Sequence, residues 1–243
     1  MTTRRILATS GGFVPGDRYT SPKPGNTMRR LLELTGREHP TLTFIMTASG
    51  DDRSYLTRSY AAFRGWSVDL QHLELFPMPN AAPDELIGTS DAIWVGGGSV
   101  ANLLELWRLH GVDAALRDAW ERGVVLGGVS AGSICWHQGG TTDSFGPELR
   151  AVTNGLAFLP YANGVHYDSE EQRRPLIHSL VADGTIGTTY CTDDYVGLLY
   201  EGTDPVEVVT DREPTDEHNP MAYRVELLDG GATETALSPG PLQ

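Results

Sequence analysis

The sequence predicts an α/β fold: a doubly wound, mostly parallel sheet with helices on both faces and antiparallel strands at its C-terminal edge. Three observations predict it. Short apolar runs alternate with helical patterns ahead of the C-terminal third, the order that builds a parallel sheet. Three of those runs stop in glycine and serine, at Ser10-Gly11-Gly12, Gly96-Gly97-Gly98-Ser99 and Gly127-Gly128-Val129-Ser130. Open α/β sheets bind ligands at the carboxyl ends of their strands, and glycines there let the backbone approach a ligand. The C-terminal third instead strings together short apolar runs, as edge strands do.

The elements follow in order. Arg5 to Thr9 reads as the first strand, followed by a Gly/Pro-rich loop and a helix from Asn26 to Leu34. Leu42 to Thr47 is a second strand, Ser54 to Phe63 a helix, and Val68 to Phe76 an alternating third strand. Asp91 to Val95 is a fourth strand, with helical patterns over Ala101 to Leu109 and Asp113 to Glu121. Val124 to Leu126 is a fifth strand, and a helix starts at Ala131. Further on, Leu156 to Leu159 and Gly187 to Tyr190 read as short strands around a helix from Glu170 to Val181. Tyr195 to Tyr200, Val206 to Val209 and Tyr223 to Leu228 read as antiparallel edge strands, and the polar stretch 231–243 as a loose tail.

No repeat, linker or boundary divides the 243 residues, so one domain over 1–243 is expected. With 40% hydrophobic residues a core is available. Eighteen basic against 32 acidic side chains give a charge of −14, which repels nucleic acid and anionic membrane surfaces. No apolar run is long enough to span a bilayer, and the N-terminal apolar stretch is too short for a signal peptide, so a cytoplasmic protein is expected. Cys135 and Cys191 lie in apolar segments without metal-ligand spacing; they read as buried thiols, with no metal or organic cofactor. A homodimer is compatible with all of this.

Gly128-Val129-Ser130-Ala131-Gly132, between a strand and a helix, has the form of a nucleophile elbow. Such a turn lifts the serine to the top of the sheet, and the next amide, at a helix N-terminus, can donate to a developing oxyanion. A plain Gly-rich turn, or helix capping by Ser130, is the competing reading. The Gly96–Ser99 run lacks the lysine of a phosphate loop, so a second oxyanion donor beside the elbow is the better reading, compatible with Ser99 capping a helix.

Seven histidines compete for the role of base. His39 and His218 read as loop residues, His72 and His110 as structural, and His178 as a mid-helix residue. His137 lies seven residues beyond Ser130, about 10 Å of helical rise, too far for a hydrogen bond. His166, in Gly164-Val165-His166-Tyr167-Asp168, lies near another strand end, where the elbow should be. Spacing leaves the orienting acid open among Asp168, Asp193 and Asp194.

Together these residues resemble the dipeptidase E (aspartyl dipeptidase) family of serine peptidases, which includes cyanophycinases and whose fold is similar to the class I glutamine amidotransferase core. The resemblance runs from Thr9-Ser10-Gly11-Gly12-Phe13 through Trp94–Ser99 and the elbow to Leu159-Pro160, His166-Tyr167-Asp168 and Asp194. It implies a serine peptidase acting on small peptides: Ser130 as nucleophile, His166 as base, Asp194 as acid, and the amides of Gly98 and Ala131 as oxyanion donors. Ser99, Glu170 and Arg173 would bind substrate. The order Ser, His, Asp differs from that of α/β-hydrolases. Two departures bear on specificity. Ser99 stands where aspartyl dipeptidases carry Asn, and Glu170 stands where they carry the arginine that pairs with aspartate. A carboxylate there opposes an aspartyl side chain by about 1 kcal/mol or more at short range, unless Glu170 only caps its helix. The alternatives are a cyanophycinase-like β-aspartyl hydrolase and a catalytically inert binding protein on the same scaffold.

Overall fold

Two large sheets organise the chain. The structure, a computed structural model, describes residues 2–16, 22–215 and 219–242. His218, read above as a loop residue, and Gln243 of the expected tail lie outside the described residues. The strands begin with β1 (Arg5–Thr9), β2 (Phe13–Val14), β3 (Lys23–Pro24), β4 (Thr41–Ile45), β5 (Asp69–Leu73), β6 (Ala92–Val95), β7 (Val125–Val129) and β8 (Gly139–Thr142). They continue with β9 (Arg150–Val152), β10 (Ala162–Gly164), β11 (Thr189–Thr192), β12 (Val196–Glu201), β13 (Asp204–Thr210), β14 (Ala222–Leu228), β15 (Gly231–Leu237) and β16 (Gly240–Pro241). The helices are α1 (Asn26–Glu33), α2 (Arg53–Ala62), α3 (Pro83–Gly88), α4 (Val100–His110), α5 (Val112–Arg122), α6 (Ala131–Ile134) and α7 (Arg173–Ala182).

The central sheet has the order β16-β13-β12-β1-β7-β6-β4-β5. Its five strands from β1 to β5 are parallel, and β12, β13 and β16 form an antiparallel edge. This is the predicted α/β class. Apolar residues alternate between its faces: Ile6, Ala8, Ile93, Val95 and Leu126 pack on one side, Leu7, Ala92, Trp94 and Val125 on the other. α4 shows how a helix holds its place against such a face. Ser99 caps its start, Gly111 closes it in the left-handed region, and Val100, Leu103, Leu104 and Trp107 form one buried stripe. Each of those side chains contributes about 1.5–3 kcal/mol by burial. The stripe fixes the Gly96–Ser99 loop at the helix entrance.

The second sheet, of order β15-β14-β11-β10-β8-β9, departs from the sequence reading. Tyr223 to Leu228, expected at the edge of a single sheet, pairs instead with β11 and β15 in this one. The expected loose tail is also corrected. Gly231–Leu237 is a full strand, paired with β14 through a turn whose central residues, Asp229 and Gly230, have φ of 50° and 82°. Positive φ at both centres is the geometry of a tight hairpin, which Asp-Gly favours. Leu156 to Leu159 is not a strand. Ala157 has φ of 52° and Pro160 lacks a donor, while the amides of residues 156–159 bind the carbonyls of Cys135, Trp136 and His137 at the end of the elbow helix. No helix among the described residues is long and apolar enough to cross a membrane.

Candidate active site

β7 ends at Val129, and Ser130 turns the chain at φ 58°, ψ −116°. A residue with a side chain costs about 1–3 kcal/mol there, so the surroundings must hold it. The Ser130 amide donates to Thr9 O at 3.0 Å, and the Ser130 carbonyl accepts from Ser133 N at 2.8 Å and Ile134 N at 2.9 Å. The flanking glycines are a steric requirement. A Cβ on Gly128 would lie 2.4 Å from Gly132 O, and one on Gly132 would lie 2.3 Å from Val95 O. The triple-glycine loop closes in from the side: Gly97 packs against the Ser130 side chain, and Gly98 (φ 137°) lies against Ala48 O. Gly98 and Ala131 line the same pocket as Ser130, and no backbone carbonyl among the described residues takes up either amide.

His166 and Asp194 arrive from the second sheet, just past β10 and β11. The His166 backbone, at φ 53°, is held by its amide donating to Ser10 Oγ at 3.0 Å. Ser10 Oγ in turn binds Thr192 O at 3.0 Å, so β1, β11 and the residues after β10 are tied at one point. His166 Nδ1 and Asp194 Oδ1 are 2.5 Å apart. Because a carboxylate only accepts, Nδ1 carries a proton, and in the neutral ring that leaves the lone pair on Nε2. The hydrogen bond from His166 holds the Asp194 carboxyl below its ordinary range, against the opposing effect of burial.

The three candidate acids therefore have different positions. Asp194 pairs with the imidazole. Asp168 Oδ1 accepts the Asp194 amide at 2.8 Å, one step behind. Asp193 points the other way, accepting from Met221 N at 3.0 Å and Tyr223 OH at 3.3 Å, and burial pushes its carboxyl up to about 6.

Ser130 and His166 share a pocket of about 290 Å³ with Ser99, Asp143, Glu170 and Arg173. Ser99 Oγ accepts from Asn102 N at 3.2 Å, so it caps α4 as well as lining the pocket. Arg173 is buried and donates to Thr141 O, to Thr141 Oγ1 at 3.1 Å and to Glu170 Oε2. Glu170 does not cap α7, whose N-cap is Gln172. Its carboxylate faces Arg173 instead.

Two rivals for the chemistry are set aside. Cys135 Sγ is buried and donates to Gly132 O at 3.4 Å, and burial pushes the thiol well above its ordinary value. His137 is buried, its Nδ1 donates to Ser133 O at 2.9 Å, and burial brings the imidazole down to about 4. Among the described residues no cluster of His, Cys, Asp and Glu could hold a metal ion. Sequence reasoning missed Ser10 and Thr192 as the anchor of His166; the serine in Ser10-Gly11-Gly12, at a strand end, was the available signal.

The sequence profile of Peptidase family S51 matches residues 6–208. The chain belongs to that family. It is 36% identical over 236 residues to the uncharacterized peptidase YgaJ of Bacillus subtilis (strain 168), covering 96% of this chain and 97% of that protein. Among solved structures, a peptidase from an acI-B1 Actinobacterium superposes with a TM-score of 0.71 at 15% identity, covering 98% of this chain and 96% of the other. A peptidase E protein from Listeria monocytogenes EGD-e superposes with a TM-score of 0.62 at 16% identity, covering 88% of this chain and all of the other. At such identities the two structures speak for the fold alone. This S51 member is a serine-type peptidase by family, and the fold class follows the peptidase E type.

Proposed function

We propose that this S51 peptidase hydrolyses short peptides through Ser130, His166 and Asp194 by way of an acyl-enzyme. One observation carries the reading: His166 donates Nδ1–H to Asp194 at 2.5 Å and opens onto the pocket that holds Ser130. The free Nε2 is the atom a general base needs. It takes the Ser130 hydroxyl proton as Oγ attacks the scissile carbonyl. The amides of Gly98 and Ala131 donate to the oxyanion that forms. His166 then gives its proton to the leaving amine. Water, activated by the same nitrogen, releases the acyl group.

The pocket also speaks to the residue on the acyl side. Arg173 is already engaged by Glu170 and Thr141, and Asp143 adds a further carboxylate to the wall. Among the described residues that line it, an aspartyl side chain would meet no unengaged cation, and two like charges at 4 Å oppose each other by about 1–4 kcal/mol in water-rich surroundings. Non-acidic acyl residues are the better substrates on this reading.

A dipeptide panel tests both parts, run on wild type, Ser130→Ala and Glu170→Arg. Wild type should cleave dipeptides with neutral first residues in preference to Asp-Xaa, Glu170→Arg should move that preference toward Asp-Xaa, and Ser130→Ala should be inactive. Cleavage that survives Ser130→Ala contradicts the nucleophile. A wild-type preference for Asp-Xaa contradicts the reading of the pocket.

A further inference from the structure

His166 stands between two pockets. Ser130, Gly98 and Ala131 line the one described above and do not line the other. The second, of about 570 Å³, has His166, Asp194 and Tyr195 on one side and Phe13, Val14, Pro15, Tyr55 and Arg58 around it. Its volume falls in the range of small-molecule sites, roughly 300–1,000 Å³.

The proposed mechanism divides the substrate between the two. The carbonyl being attacked must face Gly98 and Ala131, so the acyl half occupies the first pocket. The leaving nitrogen must receive its proton from His166, so the leaving half lies beyond that ring, in the second. Two chemistries meet there. Phe13, Val14 and Pro15 offer an apolar wall, and Arg58 is the only Lys or Arg among the described residues that line the pocket.

Arg58 also has charge to give. Its Nε donates to Ser54 O at 3.3 Å, and it forms no salt bridge among the described residues. By contrast, Arg30 and Arg122 are each held by a carboxylate, at 2.9 Å and 2.8 Å. Its helix lies against the oxyanion loop, because Gly96 packs against the Tyr55 ring. A guanidinium in this place matches a planar carboxylate.

We infer that the second pocket is the leaving-residue subsite, with Arg58 binding the free C-terminal carboxylate of an apolar amino acid. The inference rests on the proposed triad and puts the bound carboxylate one residue beyond the scissile bond.

The test compares a cleaved dipeptide having an apolar second residue with the same dipeptide amidated at its C-terminus, on wild type, Arg58→Lys and Arg58→Gln. Fluorophosphonate labelling of Ser130 is measured alongside. Wild type should favour the free acid by about tenfold or more in kcat/KM, the worth of one charge-assisted hydrogen bond, mainly through KM. Arg58→Gln should bring the free-acid to amide ratio near one, and Arg58→Lys should restore part of it. If wild type labels at Ser130 and cleaves both substrates equally, or if Arg58→Gln keeps the preference, the subsite assignment is overturned and the triad stands. If folded wild type neither labels nor cleaves, the triad is overturned and the subsite with it.

Discussion

Ser130 and the His166–Asp194 pair reach the same pocket from two sheets, and each is held in place differently. The elbow is built locally. Gly128, Ser130 and Gly132 lie within five residues, and the contacts that force them are backbone to backbone, with Val95 O and Thr9 O as neighbours on adjacent parallel strands. The pair is built over long distances. Ser10 and His166 are 156 residues apart, and His166 and Asp194 are 28 apart and come from different strands. Ser130 is therefore as rigid as the central sheet, whereas His166 depends on a few side-chain hydrogen bonds between sheets. Damage to the elbow should cost fold and activity together; damage to the anchor of the pair should cost activity with the fold retained.

The largest effect expected from that contrast is at Gly132. Gly132→Ala puts a methyl group 2.3 Å from Val95 O, in backbone that cannot yield as a flexible side chain would. Overpacking of this kind costs about 1–3 kcal/mol or more. Urea denaturation should show that loss, accompanied by loss of peptidase activity. A variant of wild-type stability and wild-type turnover would remove the claim that the elbow is sterically locked.

A middle-sized effect is expected at Ser10. Ser10→Ala leaves the His166 amide without its acceptor, a loss of about 1–3 kcal/mol if felt wholly at the site. Activity should fall about tenfold or more in kcat with KM little changed, and cysteine or threonine there should recover part of it. An equal loss of stability and activity would make the two regions alike.

The smallest effect is electrostatic and has opposite signs in the two regions. His137, beside the elbow helix, is lowered from 6.5 to about 4 by burial, so the stability it contributes is present above about 6.5 and is lost as pH falls through about 4. Asp193, beside Asp194, is raised from 3.8 to about 6 by burial, so its contribution is present below about 4 and is lost as pH rises through about 6. In wild type the two slopes oppose each other. Asp193→Asn should make stability rise more steeply between pH 4 and 6.5, as read by thermal melts across that window. An unchanged profile would show that Asp193 does not carry the buried charge assigned to it.

The same contrast explains what could be read in the sequence. The parallel strands and their helices are long and periodic, and each functional glycine cluster marks a strand end, so the central sheet and Ser130 were legible. The second sheet was not, because β8 (Gly139–Thr142) and β10 (Ala162–Gly164) are too short and glycine-rich to show a period. β15 (Gly231–Leu237) reads as a loose tail because its residues are small and polar, although Asp229-Gly230 before it is a hairpin signal. Spacing brought His166 to the right rim, but it could not choose between Asp193 and Asp194. Neighbours at a strand end face opposite ways, so the choice depends on the partner strand: β14 takes Asp193 through Tyr223, and Asp194 is left to His166.

The most direct test of the central claim is fluorophosphonate labelling followed by peptide mapping, on wild type, Ser130→Ala and His166→Ala. The account predicts one adduct on Ser130 in wild type, none in Ser130→Ala, and a rate reduced by about a thousandfold or more in His166→Ala. A folded wild-type protein that stays unlabelled, or an adduct that persists in Ser130→Ala, would contradict it.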